Sequence, residues 1–289
     1  MVLKFKGTKI QPLDKQRDNT PSLIPKHPFL LTLNASKGGG KTSVLLNSFM
    51  NPNIFKGKFN RLIYVSPTAE LDSKVHTLDD IKDVIVLNKK LLNEVYREMK
   101  EEDPNLTKEM FWESIENPTI QYIDEPEMFL NEIQEIKQEQ LAIKRKYDKI
   151  YQKRGKEFMD NIAIIIDDCA GNKRFFKNPL LLKLILNSRH YNCSIIFTTQ
   201  SYFLIDKSLR NQNDALVLFN TGNLKELQEI YNQNGGKLNW KQFLQMFCDI
   251  METDYQFLTI STQNGQDYKF IKNFEEFIDI NYYKSLFVK

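Results

Sequence analysis

The apolar residues of this chain gather into short unbroken runs, separated by polar turns rich in glycine, proline, serine and asparagine. Phe29 to Leu33 (FLLTL), Arg61 to Val65 (RLIYV), Val84 to Leu87 (VIVL), Ile162 to Ile166 (IAIII), Ser194 to Thr198 (SIIFT) and Ala215 to Phe219 (ALVLF) each read as a buried strand. Strand-like runs recur at Tyr255 to Ile260 and Tyr268 to Ile271. After the first run the spacing turns helical, with Val44, Leu45 and Phe49 on one face. Strands alternating with helices predict an α/β fold, a mainly parallel sheet with helices on both faces.

Two segments break this rhythm. Residues 1–26 carry Pro12, Pro21 and Pro25 among Lys4, Lys6, Lys9, Lys15 and Arg17, and read as a basic N-terminal arm. From Asn88 to Asp160 charged residues dominate and long helices are expected, interrupted near Pro104, Pro118 and Pro126. The expected organisation is therefore one α/β domain over 27–289 with a charged helical insertion at about 88–160.

Composition narrows the function classes only slightly. With 289 residues, 41% hydrophobic and 12% aromatic, the chain can bury a substantial core, and its formal charge of +3 does not by itself point to nucleic acid. Cys169, Cys193 and Cys248 have neither zinc spacing nor a disulfide framework, which fits a reducing compartment. No run approaches the ~20 apolar residues of a membrane span, and no signal peptide is visible at the start. An intracellular location is the expectation.

The chemistry concentrates in two motifs. Ala35-Ser36-Lys37-Gly38-Gly39-Gly40-Lys41-Thr42, followed by Ser43, lies between a predicted strand and a predicted helix, the context of a Walker A phosphate loop. Backbone N–H groups and the helix N-terminus would cradle the phosphates of ATP. Lys41 would reach the β- and γ-phosphates, and the Thr42 hydroxyl would bind Mg2+. Ala35 stands where the motif usually begins with glycine. Lys37 is the third residue of the motif, so the variant loop of ParA/MinD-type ATPases, whose extra lysine is the second, does not apply.

Ile164-Ile165-Ile166-Asp167-Asp168 reads as Walker B, an apolar strand ending in carboxylates. Parallel sheets bind ligands at the C-terminal ends of their strands, so Asp167 is expected to hold magnesium and Asp168 to polarise the attacking water. Gln200, at the tip of Ile195-Ile196-Phe197-Thr198-Thr199, could contact both the γ-phosphate and the water if its strand lies between the two motif strands. That order is the additional-strand type of P-loop NTPase. Arg189 and Arg210 are the candidate transition-state arginines, and either could instead hold a carboxylate of its own sheet. The basic run Lys144 to Lys156 could touch DNA phosphates, pair between subunits, or form a solvated helix face.

The order of these motifs is similar to that of the genome-packaging ATPases of the FtsK/HerA superfamily in poxviruses, other large nucleocytoplasmic DNA viruses and virophages. The resemblance runs through the phosphate loop, Arg61-Leu-Ile-Tyr-Val-Ser-Pro-Thr68, Ile-Ile-Ile-Asp-Asp-Cys169, Asn-Ser-Arg-His-Tyr-Asn192, Phe-Thr-Thr-Gln200 and the Arg210 to Phe219 segment. It covers roughly residues 27 to 280. It implies an ATPase ring, a hexamer or pentamer, that threads double-stranded DNA into a preformed capsid at virus assembly sites in the host cytoplasm. A capsid or vertex protein would be a further partner. Asp168, Gln200 and Arg189 would then serve in water activation, γ-phosphate sensing and as a finger acting in trans. A P-loop kinase of a small acceptor and a nucleotide-controlled binding switch remain the alternatives.

Overall fold

The structure is a computed structural model that describes residues 20–69 and 71–286. Its first strand, β1 (Leu30–Asn34), leads through the glycine turn into α1 (Lys41–Met50), and β2 (Arg61–Val65) follows. The segment after β2 supplies α2 (Lys89–Glu102), α3 (Lys108–Ser114), β3 (Gln121–Ile123) and α4 (Pro126–Ile150). Then come β4 (Ile162–Ile166), α5 (Lys173–Phe176), α6 (Pro179–Asn187), β5 (Cys193–Thr199), α7 (Lys207–Arg210) and β6 (Ala215–Phe219). The C-terminal part adds α8 (Leu224–Asn234), α9 (Trp240–Ile250), β7 (Phe257–Ser261), β8 (Phe270–Lys272), β9 (Glu276–Phe277) and α10 (Ile280–Ser285).

The strands form one nine-stranded sheet in the order β3-β2-β4-β5-β1-β6-β7-β8-β9. The six strands from β3 to β6 are parallel, and β7 to β9 continue the sheet antiparallel. β5 lies between β1 and β4, which is the additional-strand arrangement of P-loop NTPases. Alternate side chains feed opposite faces, as the period of two requires. Ile162, Ile164 and Ile166 of β4 pack with Phe129, Ile133 and Ile136 of α4 and Leu181 and Leu184 of α6. Ala163 and Ile165 join Leu45, Leu46 and Phe49 of α1 on the other face. Beyond β6, α8 and α9 cover Leu216, Leu218 and the antiparallel strands with Leu227, Ile230, Phe243 and Phe247.

One expectation needs correction. Val84 to Leu87 is no strand; it is an irregular segment in which Val86 N–H bonds Phe59 O (2.9 Å) and Val84 O accepts from Gly57 N–H (3.1 Å). A four-residue apolar run has the same pattern whether its backbone pairs with a strand or with a loop. The sheet position beside β2 is filled by the later Gln121–Ile123, only one of whose three residues is buried. The charged segment supplies α2 to α4, and α4 places an apolar stripe in the core beneath its charged outer face. Of the expected arm, residues 1–19, with all five basic residues named above, lie outside the described residues. Its last stretch is pinned to the far end of the chain by Ser22 N–H to Asn264 Oδ1 (3.0 Å) and Lys26 N–H to Gln263 Oε1 (2.8 Å).

Candidate functional site

Parallel pairing sets the tips of β1, β4 and β5 side by side. Asn34 is in register with Thr199, and Ile166 with Phe197, so the residues that follow these strands emerge at one sheet edge. β5 is the splice between the two motifs: Thr199 O accepts from Ala35 N–H (3.1 Å), while Thr198 Oγ1 accepts from Asp168 N–H (3.1 Å) and donates to Asp167 Oδ1.

The loop has the conformation its glycines permit. Gly40 sits at φ 94°, a left-handed value that other residues rarely adopt. Gly39 is constrained by space, since a Cβ there would lie 3.0 Å from the Ala35 Cβ and 3.1 Å from Ser36 O. The alanine at the first motif position thus packs, buried, against the one glycine whose missing side chain makes room for it. α1 starts without a side-chain cap and without an acidic residue in its first turn, so its leading N–H groups remain available to an anion. Lys41 is buried and folds back on its own loop, donating to Ala35 O (2.8 Å) and Ser36 O (3.3 Å). Burial lowers its pKa, and the charges of Asp168 and Asp167 work in the opposite direction.

Asp167 is 6% exposed, and both its carboxylate oxygens accept hydroxyl hydrogen bonds, from Thr198 and from Tyr64 of β2. Burial raises its pKa, and those two donors oppose the rise. Asp168 is exposed and left-handed at φ 49°, ψ 23°, a costly conformation for a non-glycine residue that turns it out of the strand line. Gln200 Nε2 stands 3.5 Å from Asp168 Oδ2, so the two residues expected to handle water and γ-phosphate do adjoin.

The arginines are placed differently. Arg189 precedes β5 and donates from Nη2 to Asp214 Oδ1 (2.8 Å), while Asp214 Oδ2 accepts from Leu30 N–H (2.9 Å). Leu30 begins β1 and Asn34 ends it, so this pair lies roughly 13 Å from the phosphate edge at ~3.3 Å per residue. Of the two readings open for Arg189, the geometry within one chain is the carboxylate-holding one. Arg210 lies over the rings of Tyr202 (4.6 Å) and Phe203 (5.8 Å), with Nε and Nη1 buried and unpartnered. In the basic run, Lys144 pairs with Asp148, Lys146 with Glu98 and Arg154 with Glu157, which spends much of its positive charge locally.

Sequence reasoning missed Tyr64 and Thr198. Both were visible as polar atoms in otherwise apolar strands, but which carboxylate they meet depends on strand order. Among the described residues no cluster of three or more His, Cys, Asp or Glu side chains could hold a metal ion. A magnesium at Thr42 and Asp167 would draw its other ligands from nucleotide and water oxygens, the coordination this ion prefers. The uncapped helix start and the recruited Lys41 likewise fit a polyphosphate. No helix among the described residues is long and apolar enough to cross a membrane.

Comparison with known proteins places the chain among viral relatives. It is 24% identical over 112 residues to the uncharacterized protein 075L of Invertebrate iridescent virus 6, covering 38% of this chain and 43% of that one. It is 27% identical over 70 residues to the uncharacterized protein 015R of Frog virus 3, covering 24% and 22%. The matches thus span less than half the length of these relatives. Among solved structures it is similar to the genome packaging NTPase B204 of Sulfolobus turreted icosahedral virus 2 in complex with ATPγS, at 15% identity and TM-score 0.45 over 81% of this chain and 91% of that one. It is also similar to the pCW3 conjugation coupling protein TcpA, at 12% identity and TM-score 0.49 over 90% and 65%. The family described as Poxvirus A32 protein matches residues 121–271, from β3 through β8. That segment is slightly more than half of the sequence, and the chain belongs to the poxvirus A32 protein family.

Proposed function

We propose that this chain is an ATP-hydrolysing motor that moves double-stranded viral DNA into a preformed capsid, working as a homo-oligomeric ring. The observation that carries the ATPase part is the convergence of Lys41, Asp167, Asp168 and Gln200 on one sheet edge, with β5 bonded to both motifs. The motor part rests on membership of the poxvirus A32 family and on the motif order that resembles packaging ATPases.

In this reading the loop residues Ala35 to Ser43 wrap the triphosphate of the substrate. Lys41 exchanges its two loop carbonyls for phosphate oxygens, while Thr42 and Asp167 would hold magnesium, which would supply charge neutralisation. Tyr64 and Thr198 keep the Asp167 carboxylate oriented. Asp168 polarises a water for attack in line with the leaving group, and Gln200 orients that water against the γ-phosphate. Transition-state charge is met within the chain by Lys41 and the N–H groups of the loop. An arginine from a neighbouring copy completes the site; Arg189 is half exposed and bonds Asp214 through one nitrogen, which leaves its other donors for such a contact.

The test is phosphate release from ATP by the full chain, with and without long duplex DNA at several salt concentrations. Stimulation by DNA that fades as salt rises is expected, because neutralised phosphates release counterions. Turnover indifferent to DNA overturns the motor, and transfer of phosphate to a small acceptor establishes the kinase instead.

A further inference from the structure

Glu226, in the first turn of α8, is a buried acid (3% exposed) with no cation among its hydrogen-bond partners in the described residues. A glutamate three residues after a helix N-cap commonly folds back to the cap's own N–H. Here Asn223 caps Glu226 N–H (3.2 Å), but Asn223's own N–H bonds Thr221 Oγ1 (3.2 Å), and the Glu226 carboxylate turns inward. Its Oε1 accepts from Tyr202 N–H, from Ser201 Oγ (3.2 Å) and from Asn34 Nδ2 (3.3 Å). Its Oε2 accepts from Asn223 Nδ2 (3.4 Å).

These donors flank the chemistry. Asn34 immediately precedes the phosphate loop, and Ser201 and Tyr202 immediately follow Gln200. Gln200 itself is exposed, and its side chain has one long contact, to Asp168. Its position is therefore set by the backbone on either side. On one side is Thr199, locked in β5 and bonded through Oγ1 to Ser201 O (2.8 Å). On the other is the Ser201-Tyr202 turn, whose inward hold is Glu226.

We propose that Glu226 is a positioning residue, one carboxylate that braces the Gln200 turn against the base of the phosphate loop. The proposal rests on the role given to Gln200. The brace keeps the Gln200 amide at the distance where a γ-phosphate and the attacking water lie, and an ADP-bound loop does not call on it. Its loss therefore acts on turnover and on discrimination between ATP and ADP, not on the grip of the loop itself.

The experiment uses the full chain with Glu226→Leu, Glu226→Gln, Gln200→Ala and the Glu226→Leu/Gln200→Ala double variant. It measures phosphate release from ATP and the affinities of fluorescent ATPγS and ADP, with melting curves for each variant. Misplacing a catalytic group by about an ångström can cost on the order of 100-fold, so Glu226→Leu should lower kcat at least about tenfold with ADP affinity held. The ATPγS-to-ADP affinity ratio should fall to that of Gln200→Ala. Glu226→Gln, which keeps one acceptor oxygen, should restore most of both. The double variant should be no slower than Gln200→Ala, since residues acting through one another do not add. Multiplying defects, an unchanged affinity ratio, or equal loss of ADP and ATPγS binding would overturn the brace. A wild-type chain that releases no phosphate would overturn the ATPase reading alone, and the affinity ratios would still decide for or against Glu226.

Discussion

Arg189 Nη2 lies 2.8 Å from Asp214 Oδ1, and that carboxylate in turn accepts the first N–H of β1. The pair ties the loop before β5 to the start of β1, at the end of the sheet away from the phosphate loop. Arg189 is half exposed and Asp214 largely buried, so the two ends of this bond are unequal. Arg189→Ala is expected to cost only about 0.5–1 kcal/mol, since solvent screens the exposed partner. Asp214→Ala, which also orphans Leu30 N–H, should cost about 1–3 kcal/mol. Urea unfolding of both variants checks the order, and neither should change ATPγS affinity.

Asp168 points out of the strand line beside Gln200 and, among the described residues, its carboxylate makes no hydrogen bond other than that contact. Asp168→Asn should therefore fold normally and bind ATPγS as the wild type does, while phosphate release falls about 100-fold or more. Preserved hydrolysis in this variant removes Asp168 from the mechanism.

Tyr64 is fully buried and donates to Asp167 Oδ2 from the neighbouring strand. In Tyr64→Phe that carboxylate oxygen loses its side-chain donor among the described residues. Thermal melting should show a loss of about 1–3 kcal/mol. A magnesium titration of ATPase activity should need more metal for half-maximal rate, because the Asp167 geometry is no longer fixed.

Gly39 and Ala35 form a steric pair in the phosphate loop. Gly39→Ala should weaken ATPγS binding at least about tenfold by displacing the loop, since contacts this tight force backbone shifts. Adding Ala35→Gly removes the 3.0 Å clash but leaves the 3.1 Å contact with Ser36 O, so equilibrium binding should show partial rescue.

His27 carries the pH dependence. Its Nδ1 bonds Ser194 Oγ (2.6 Å), and burial lowers its pKa from 6.5 to about 4, against the opposing effect of Asn192. The unfolded chain thus takes up a proton near pH 6.5 that the folded chain refuses until about pH 4. The stabilisation is complete above pH 6.5 and is lost as pH falls through that window, at most about 3 kcal/mol. Urea midpoints between pH 7 and 4 should decline in the wild type, and His27→Gln should flatten the part of the decline above pH 5.

How much of this was readable beforehand depended on whether a residue's partner is local. The phosphate loop, Asp167, Asp168 and Gln200 stand at the ends of strands legible as apolar runs, and parallel strands deliver their ends to one edge, so their convergence could be expected from the pattern alone. β2, β4 and β6 took their expected bounds for the same reason. Tyr64, Thr198 and Glu226 could not be assigned, because Asp167 lies 103 and 31 positions from the first two, and Tyr202, Ser201 and Asn34 lie 24 or more from Glu226, so they meet only once strand order is known. Val84 to Leu87 misled because hydrophobicity reports burial before it reports pairing. The Arg189–Asp214 bond was one of two outcomes the residue types allowed, and the crossing from β5 to β6 decided it.

The outermost strands, β3 and β9, have three and two residues, and β9 is half turned to solvent. Neither offers a run of free backbone groups long enough to template another chain's extended segment. Among the described residues, then, copies of this protein crowded together have little means of zipping edge to edge into fibres. A contact between copies at either of these edges would therefore be made chiefly by side chains.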